Sequence, residues 1–373
     1  MSTLGIVGGG QLGRMLAEAA RPLGVSTVVL DPTPQSPAHD VADKHIVGDF
    51  KEHDAIQTLA RECDVMTFEI ESANAKALEE LSETGFSVHP TPKTLSLIKD
   101  KLAQKEFLAE HGVRVAPYCA VSDAASAREA GEKLGYPFVL KARSGGYDGR
   151  GNALVESAAQ IDEALTKLQG ASLYAEGFVP FEKELAVVAV RTIAGDIRVY
   201  PVVETMHENH ICISVVMPAR VDATIAAKAE ALGHTVLELF EGAGVFAIEL
   251  FLSNGEVLVN EIAPRVHNSG HLTIEACVTS QFENHVRAVM AIPLGEVDMK
   301  VPAAAMVNIL GTRNGRAEPA GTEDAEMLGE VAVHWYGKQE TMIGRKMGHL
   351  TVTGQTPDEA LRKAYEARAR VSI

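Results

Sequence analysis

The stretch YPFVLKARSGGYDGRGNALVE, residues 136–156, has two apolar segments on either side of a loop that contains four glycines. This pattern predicts a β-hairpin with a long loop. Backbone N–H groups of a glycine-rich loop can bind phosphates, and Lys141 places a positive charge beside the same anion. The loop is not a Walker A loop, because it lacks G-K-[ST] and precedes a strand. We interpret it as a flap over phosphates, with an ordinary long hairpin loop as the alternative.

Two glutamates stand out further along the chain. Glu249 and Glu261 each interrupt an apolar segment, VFAIELFL and VLVNEIAPR, and these segments are predicted to pair as neighbouring strands. Carboxylates that face each other among apolar residues are costly unless a cation joins them. Mg²⁺ prefers oxygen ligands and usually shares itself with substrate phosphates. The pair therefore favours a magnesium site, to which Asn260 and Asn268 could add oxygens; separate salt bridges are the alternative.

Later stretches concentrate positive charge in an otherwise acidic chain. APRVHNSGH contains Arg265 and His267, which suit the binding of an oxyanion beside a metal. YGK and GRKMGH contain Lys338, Arg345 and Lys346. These three side chains indicate either a pocket for a substrate phosphate or a solvated basic patch.

The N-terminal stretch GIVGGGQLGRML (5–16) contains G-x-G-x-x-G, formed by Gly8, Gly10 and Gly13, between a strand pattern and a helix pattern. Asp31 ends the next predicted strand, near the position of a ribose-binding acid in dinucleotide-binding proteins. Strand and helix patterns alternate to about residue 90, which predicts a parallel sheet. The glycine pattern by itself leaves two alternatives, NAD binding and a tight turn between strand and helix.

The expected fold class is α/β and α+β, in several domains. The expected boundaries are 1–95 for a Rossmann-like domain with a parallel sheet, 96–295 for a central domain, and 296–373 for a small C-terminal domain. The central domain is expected to have a flap-bearing lobe over about 110–175 and a large lobe over about 176–295. Within the large lobe the patterns predict a strand over 197–203 and a helix over 273–290.

Composition excludes several classes of protein. The chain has 373 residues and a formal net charge of −16, which argues against a nucleic-acid partner. It has no apolar run long enough to span a membrane, and we expect a cytoplasmic protein. Four cysteines without CxxC spacing predict neither disulfides nor a zinc site.

The flap, its preceding lysine and the two glutamates on paired strands resemble the ATP-grasp superfamily, whose members activate a carboxylate or bicarbonate as an acyl phosphate. Within it, the chain closely resembles the N5-carboxyaminoimidazole ribonucleotide synthetase family of de novo purine synthesis over essentially its whole length. The motifs that carry this resemblance are GGGQLGRML, GGYDGRGN, VPFEKE, NEIAPRVHNSGH, TSQFENH and GRKMGHL.

The resemblance implies an ATP-grasp fold and a ligase that uses ATP, Mg²⁺ and bicarbonate. It implies carboxylation of the exocyclic amine of 5-aminoimidazole ribonucleotide through carboxyphosphate, with ADP and phosphate as the other products. It also implies a homodimer.

The same resemblance implies roles for individual residues. Those expected to bind ATP are Lys101, Lys141, Gly146, Tyr147, Asp148, Gly149, Arg150, Gly151, Asn152, Glu176, Gly177, Phe178, Val179, Glu184, His207, Asn260 and Glu261. Those expected at the metal are Glu249, Glu261 and Asn268. Those expected to act in catalysis are Arg265, His267, Tyr147, Asp148 and Lys338. Those expected to bind substrate are Gln11, Glu69, Tyr147, Asp148, Arg265, His267, Lys338, Arg345 and Lys346. Lys101 stands where many members have arginine, which keeps the charge but loses the fork of donors.

Three alternatives were weighed against this function. A dehydrogenase does not account for the flap, the paired glutamates or the basic tail. Another ATP-grasp ligase, such as a formate-dependent glycinamide ribonucleotide transformylase, would share the ATP apparatus, but the flap and tail motifs favour the synthetase. A non-catalytic nucleotide-binding module would tolerate loss of a metal carboxylate or of the phosphate lysine, and neither is lost.

Overall fold

The structure, a computed structural model, describes residues 2–145 and 151–373. Its N-terminal part is the predicted parallel sheet. The strands are β1 (Thr3–Val7), β2 (Ser26–Asp31), β3 (Lys44–Val47), β4 (Val65–Phe68) and β5 (Ser87–Val88). The helices are α1 (Gln11–Ala20), α2 (His53–Ala60), α3 (Ala75–Glu83) and α4 (Pro92–Lys99). The strand order β3-β2-β1-β4-β5 brings the carboxyl ends of β1 and β4 side by side, where ligands bind in such sheets.

A second sheet carries the predicted hairpin. Its strands are β6 (Tyr118–Val121), β7 (Phe138–Ala142), β8 (Asn152–Val155) and β9 (Leu173–Gly177), in the antiparallel order β6-β9-β7-β8. The helices of this region are α5 (Lys101–Glu110), α6 (Ala124–Leu134) and α7 (Ile161–Lys167). Lys141 pairs with Asn152 at the end of the hairpin that the loop connects, so both residues lie next to the glycine-rich loop.

The start of α5 is fixed to the end of β7. Asp100 caps α5 by accepting hydrogen bonds from the N–H groups of Leu102 and Ala103. Arg143 Nε donates to the same carboxylate at 2.9 Å, and Lys101 N donates to Arg143 O at 2.7 Å. These bonds place Lys101, the first residue of α5, close to the carboxyl end of β7, where Lys141 lies.

The largest sheet runs through the rest of the chain. Its strands are β10 (Lys183–Arg191), β11 (Ile197–Val199), β12 (Val203–Glu208), β13 (Ile211–Met217), β14 (Gly244–Ser253), β15 (Glu256–Ala263) and β16 (Ala303–Leu310), with two more near the C-terminus. After the short strand β17 (Gly315–Arg316), these are β18 (Val331–Trp335) and, following the short β19 (Glu340–Thr341), β20 (Lys346–Gly354). The order is β15-β14-β10-β12-β13-β16-β20-β18, and β11 pairs with β10.

The helices that cover this sheet are α8 (Ala223–Glu238), α9 (Thr273–Ala276), α10 (Gln281–Val289), α11 (Thr322–Glu326) and α12 (Pro357–Arg368). Because β16 pairs with β13 and β20 pairs with β16, the C-terminal strands extend the sheet of the central region. The division of the chain at residues 95 and 295 stays a prediction. None of the helices within residues 2–145 and 151–373 has the length and apolar character needed to cross a membrane.

Two predicted elements are interrupted in the structure. The segment 197–203 is not one strand, because β11 ends at Val199 and Pro201 offers no N–H group to continue the ladder. The segment 273–290 is not one helix, because Cys277 is extended and forms an isolated bridge with Met299. Ser280 then caps a new helix, α10, by accepting a hydrogen bond from Glu283 N.

His285, on α10, joins the N-terminal sheet to the large sheet. It is fully buried, and its Nδ1 accepts a hydrogen bond from Val245 N of β14 at 3.0 Å. Its Nε2 therefore carries the proton and donates to Thr67 Oγ1 of β4 at 2.8 Å. One imidazole is thus hydrogen-bonded to both β4, which ends just before Glu69, and β14, which carries Glu249.

We expect His285→Leu to lower the free energy of unfolding by about 2–4 kcal/mol, since Val245 N and the Thr67 hydroxyl would lose their buried partner. Chemical denaturation checks this. The matched control is His234→Leu on α8, where the side chain is half exposed and the change should stay within about 0.5 kcal/mol. Equal losses in the two variants would contradict the role given to His285.

The same histidine predicts a dependence on pH. Burial lowers the pKa of His285 to about 3, below the ordinary value of 6.5 that it regains on unfolding. The proton therefore favours the unfolded chain, and the stabilisation is complete above about pH 6.5 and is lost as the pH falls toward 3. Over that window the free energy of unfolding of the natural chain should fall more steeply than that of His285→Leu. Parallel curves would contradict it.

Candidate active site

The two predicted metal-binding glutamates face each other in the large sheet. Glu249 on β14 and Glu261 on β15 are register partners, and a bulge directly follows Glu249. Lys101 Nζ donates to Glu261 Oε2 at 2.5 Å. Burial, followed by the charge of Glu261, raises the pKa of Glu249 to about 7. Burial also acts to raise the pKa of Glu261, but Lys101, together with Lys141 and Lys105, outweighs it and lowers that pKa.

The surroundings of this pair fit a magnesium ion. Asn260 Oδ1 is buried and has no hydrogen-bond partner among the described residues. The raised pKa of Glu249 means that the two carboxylates lack positive charge, which a divalent cation would supply. Within residues 2–145 and 151–373, no three His, Cys, Asp or Glu side chains are grouped to hold a metal. Two carboxylates, amide oxygens and substrate phosphates are the ligand set typical of Mg²⁺.

Two lysines enclose Glu176 on β9. Lys141 Nζ lies 2.6 Å from Glu176 Oε1, and Lys105 Nζ lies 2.6 Å from Glu176 Oε2. Lys105 also donates to Asn260 O at 3.1 Å. Burial acts to raise the pKa of Glu176, but Lys105 and then Lys141 outweigh it and lower that pKa. The side chain of Glu176 therefore positions Lys141 beside the loop. Gly177 is the last residue of β9, and Phe178 and Val179 follow it.

A third charged pair lies on neighbouring strands of the large sheet. Glu184 is on β10 and His207 is on β12, and their side chains form an ion pair through His207 Nδ1. Burial acts to lower the pKa of His207, but Glu184 outweighs it and raises that pKa. Glu184 and His207, two of the residues that the resemblance assigns to the nucleotide, are therefore in direct contact with each other.

The loop after β15 points Arg265 and His267 in different directions. Arg265 Nη2 lies 3.0 Å from Oε1 of Glu71. Glu71 lies just after β4 of the N-terminal sheet. His267 Nε2 lies 3.5 Å from Glu249 Oε1. Burial, with the charge of Arg265, lowers the pKa of His267 well below its usual value, so the ring is neutral. Because Ser269 N donates to Nδ1 at 3.3 Å, the proton of the neutral ring is on Nε2 and faces Glu249.

The glycine-rich turn of the N-terminal sheet binds carboxylates of the chain itself. Gly10 N donates to Glu69 Oε1 at 2.7 Å, and Gly9 N donates to Asp31 Oδ2 at 2.9 Å. A Cβ at Gly10 would lie 2.7 Å from Glu69 Oε1, so the glycine is needed for this close approach. These N–H groups are the ones that would bind a dinucleotide pyrophosphate. Of the two alternatives for the glycine pattern, these bonds favour the tight turn over NAD binding, and Gln11 begins α1 directly after the turn.

Glu69 and the C-terminal basic residue Lys338 are close enough for the charge of each to affect the pKa of the other. Burial raises the pKa of Glu69 to about 7 against the opposing charges of Arg265 and Lys338. Burial, with the charges of Arg345 and Lys346, lowers the pKa of Lys338 to about 7. Lys338 Nζ donates to Lys346 O at 2.6 Å. Of the two alternatives for this stretch, a pocket is favoured over a fully solvated patch, because Lys338, Arg345 and Lys346 are all half-buried.

Three of the remaining predicted residues lie within the described part of the chain. Gly151 precedes β8 and Asn152 begins it, and Ala142 N donates to Gly151 O at 2.8 Å. Asn268 begins the short 3₁₀ turn after His267. The predicted flap residues that lie outside the described residues are Gly146, Tyr147, Asp148, Gly149 and Arg150.

Sequence reasoning missed two residues of this site. Lys105, buried against Glu176, lies one helical turn after Lys101 on α5, and a lysine on the apolar face of a helix could have indicated it. Glu71 lies two residues after Glu69, beyond the carboxyl end of β4. Its pairing with Arg265 joins residues far apart in the chain, and no local pattern predicts such a contact.

Models of three protein families match the chain in succession. The ribonucleotide synthetase preATP-grasp domain matches residues 1–99, and the ATP-grasp domain matches residues 106–282. The phosphoribosylaminoimidazole carboxylase C-terminal domain matches residues 304–363.

Individual relatives cover nearly the whole chain. A phosphoribosylaminoimidazole carboxylase of Ogataea methanolica is 47% identical, over 97% of this chain and 68% of that protein. The chain spans about two thirds of the length of the carboxylases it matches in this way. An N5-carboxyaminoimidazole ribonucleotide synthase of Synechococcus elongatus is 39% identical, over 99% of this chain and 94% of that protein.

Solved structures resemble the chain over the same length. The crystal structure of an N5-carboxyaminoimidazole synthase from Aspergillus clavatus, in complex with ADP and 5-aminoimidazole ribonucleotide, has a TM-score of 0.91. It is 38% identical and covers 99% of each chain. The expected ATP-grasp fold, with its parallel N-terminal sheet, is confirmed.

We expect Glu176→Gln to lower the free energy of unfolding by about 3–5 kcal/mol, because Lys105 and Lys141 would lose the counter-charge between them. Urea denaturation measures the loss. The matched control is Glu256→Gln, since Glu256 forms an exposed ion pair with Arg114 and should contribute less than about 1 kcal/mol. A loss of the control's size in Glu176→Gln would show that the buried triad does not stabilise the fold.

Proposed function

The chain belongs to the N5-carboxyaminoimidazole ribonucleotide synthase family and is an ATP-dependent carbon–nitrogen ligase, and we propose how its residues use ATP, bicarbonate and 5-aminoimidazole ribonucleotide. Bicarbonate attacks the γ-phosphate of ATP to give carboxyphosphate and ADP. The carboxyl carbon then passes to the exocyclic amine, which gives N5-carboxyaminoimidazole ribonucleotide and phosphate on the path to IMP. Bicarbonate is a poor electrophile until one of its oxygens becomes part of a phosphate leaving group.

One observation carries the proposal. A continuous row of groups runs from Lys101 to Glu261, across the sheet register to Glu249, and on to His267 Nε2 at 3.5 Å. A cation, two carboxylates that need a divalent cation, and a neutral donor are what an acyl-phosphate site requires beside a nucleotide. In the proposal Lys101 and Lys141 bind the ATP phosphates, and Glu184 with His207 binds the ribose side.

Mg²⁺ is the proposed metal, held by Glu249 and Glu261, with Asn260 and Asn268 as the neighbouring amides. When bound, it would neutralise the charge of the phosphates. His267 donates a hydrogen bond from its Nε2–H group to an oxygen of bicarbonate or carboxyphosphate, and the fixed charge of Arg265 stabilises the same anion.

The ribonucleotide is proposed to bind between the N-terminal turn and the C-terminal basic stretch. Lys338, Arg345 and Lys346 bind its phosphate, and Gln11 and Glu69 line the opposite side of the binding site. Tyr147 and Asp148 remain part of the proposal as flap residues that reach this substrate. The electrostatic coupling of Glu69 to Lys338 supports a shared pocket.

A homodimer in the cytoplasm is the final part of the proposal, and it rests on the family alone. Sedimentation equilibrium should give about twice the chain mass of 39.8 kDa. A mass equal to that of one chain would contradict the dimer.

The reaction is tested by release of phosphate from ATP. Release should require both 5-aminoimidazole ribonucleotide and bicarbonate, and omission of either should remove it. Release that depends on formate and glycinamide ribonucleotide would support the transformylase alternative instead. ATP binding without turnover on either pair would support a binding module.

We expect Glu261→Gln to lower this turnover more than about a hundredfold while the fold is retained, because the metal loses a charged ligand at the reacting phosphate. Its matched control is Glu256→Gln, at the exposed start of the same strand, which should keep the turnover of the natural chain. Circular dichroism and denaturation would verify that both variants fold. Near-normal turnover in Glu261→Gln would contradict the metal role.

A further inference from the structure

The motif TSQFENH has no role in the reaction described so far, although it begins the helix packed behind the site. Gln281, the first residue of α10, is completely buried. Its side chain bonds to both backbone groups of His267. His267 N donates to Gln281 Oε1 at 3.0 Å, and Gln281 Nε2 donates to His267 O at 2.7 Å.

Further bonds close the loop between His267 and α10. Gln281 Nε2 also contacts His271 Nδ1 at 3.3 Å, so both of its hydrogens have acceptors. Thr273 Oγ1 accepts from Gln281 N at 2.9 Å and donates to Gly270 O at 2.6 Å. A Cβ at Gly270 would lie 2.4 Å from Gln281 Oε1, so the absence of a side chain at Gly270 makes room for this amide.

We propose that Gln281 is a positioning residue, which fixes the backbone of His267 and thereby directs the imidazole Nε2 at the bicarbonate site. This rests on the proposed function. The backbone of His267 is extended, and its ring contacts Ser269 through Nδ1 and Glu249 through Nε2. With the backbone fixed at both N–H and C=O, only rotations about the two side-chain bonds remain, and the Ser269 contact restricts them.

An amide is the group that this position requires. It presents one acceptor and one donor in the spacing of a backbone N–H and C=O pair. A glutamate keeps the acceptor for His267 N, but its second oxygen would face His267 O and repel it. A methionine fills the same volume and offers neither bond. The two substitutions therefore remove one or both bonds without emptying the space.

Asn284, one turn further along α10, provides a matched control. It is equally buried and also holds both backbone groups of one residue, Gly295. Gly295 N donates to Asn284 Oδ1 at 2.8 Å, and Asn284 Nδ2 donates to Gly295 O at 3.2 Å. Gly295 lies outside the row of charged groups that forms the site. Asn284→Leu therefore removes a similar pair of bonds from the same helix without touching His267.

The experiment compares steady-state phosphate release by Gln281→Met, Gln281→Glu and Asn284→Leu at a temperature where denaturation shows each to be folded. We expect the two Gln281 variants to lose roughly tenfold to a hundredfold in kcat, with the KM for ATP unchanged. Asn284→Leu should lose stability but keep kcat within about twofold. If Gln281→Met does not fold, Gln281→Glu carries the test, because it keeps one of the two bonds.

A double-mutant cycle separates positioning from general damage. If Gln281 acts through His267, adding Gln281→Met to His267→Ala should cause no further loss of kcat, whereas independent effects would multiply. Additive losses, or a normal kcat in the Gln281 variants, would overturn the proposal. Absence of turnover in the natural chain, or a His267→Ala variant with normal kcat, would instead overturn the proposed function.

Discussion

The arrangement of Glu249 opposite Glu261 is the constraint on which the rest of this structure depends. Two carboxylates placed in register on adjacent buried strands destabilise the sheet that carries them unless positive charge is supplied. Lys101 supplies part of that charge at 2.5 Å from Glu261. The start of α5 must therefore be held against the sheet, and the capping of α5 by Asp100 and the link to Arg143 hold it there.

The need for positive charge beside these carboxylates accounts for the contacts that distant parts of the chain make around them. The large sheet contributes the carboxylates, the hairpin sheet contributes Lys141, and the N-terminal sheet contributes Glu69 and Glu71. His285 joins the N-terminal and large sheets through one buried imidazole, at 2.8 Å from Thr67 and 3.0 Å from Val245 N. Within the described residues, the site is therefore assembled by packing and hydrogen bonds between domains, with each lobe supplying charges that the others need.

The sequence predicted well those features that rest on local pattern. The parallel sheet, the hairpin and the pairing of the strands of Glu249 and Glu261 follow from periodicity and turn residues, and all are present. The break at Cys277 was not predicted, because it depends on a bridge to Met299 that no local signal encodes. Lys105 was not predicted as a site residue for a related reason, since its burial becomes favourable only through the ion pair with Glu176 on another element. Local sequence pattern predicted most of the elements but not the contacts between elements that are distant in the chain.

The glycine-rich turn has a consequence for how the binding site sorts charge. Its N–H groups are already saturated by Glu69 and Asp31, so an incoming phosphate meets two carboxylates there instead of free donors. In the proposed binding mode, Lys338 and Lys346 bind the substrate phosphate instead. A turn of the kind that binds phosphate in other proteins is thus occupied here by carboxylates of the chain itself, which disfavours an anion at this end of α1.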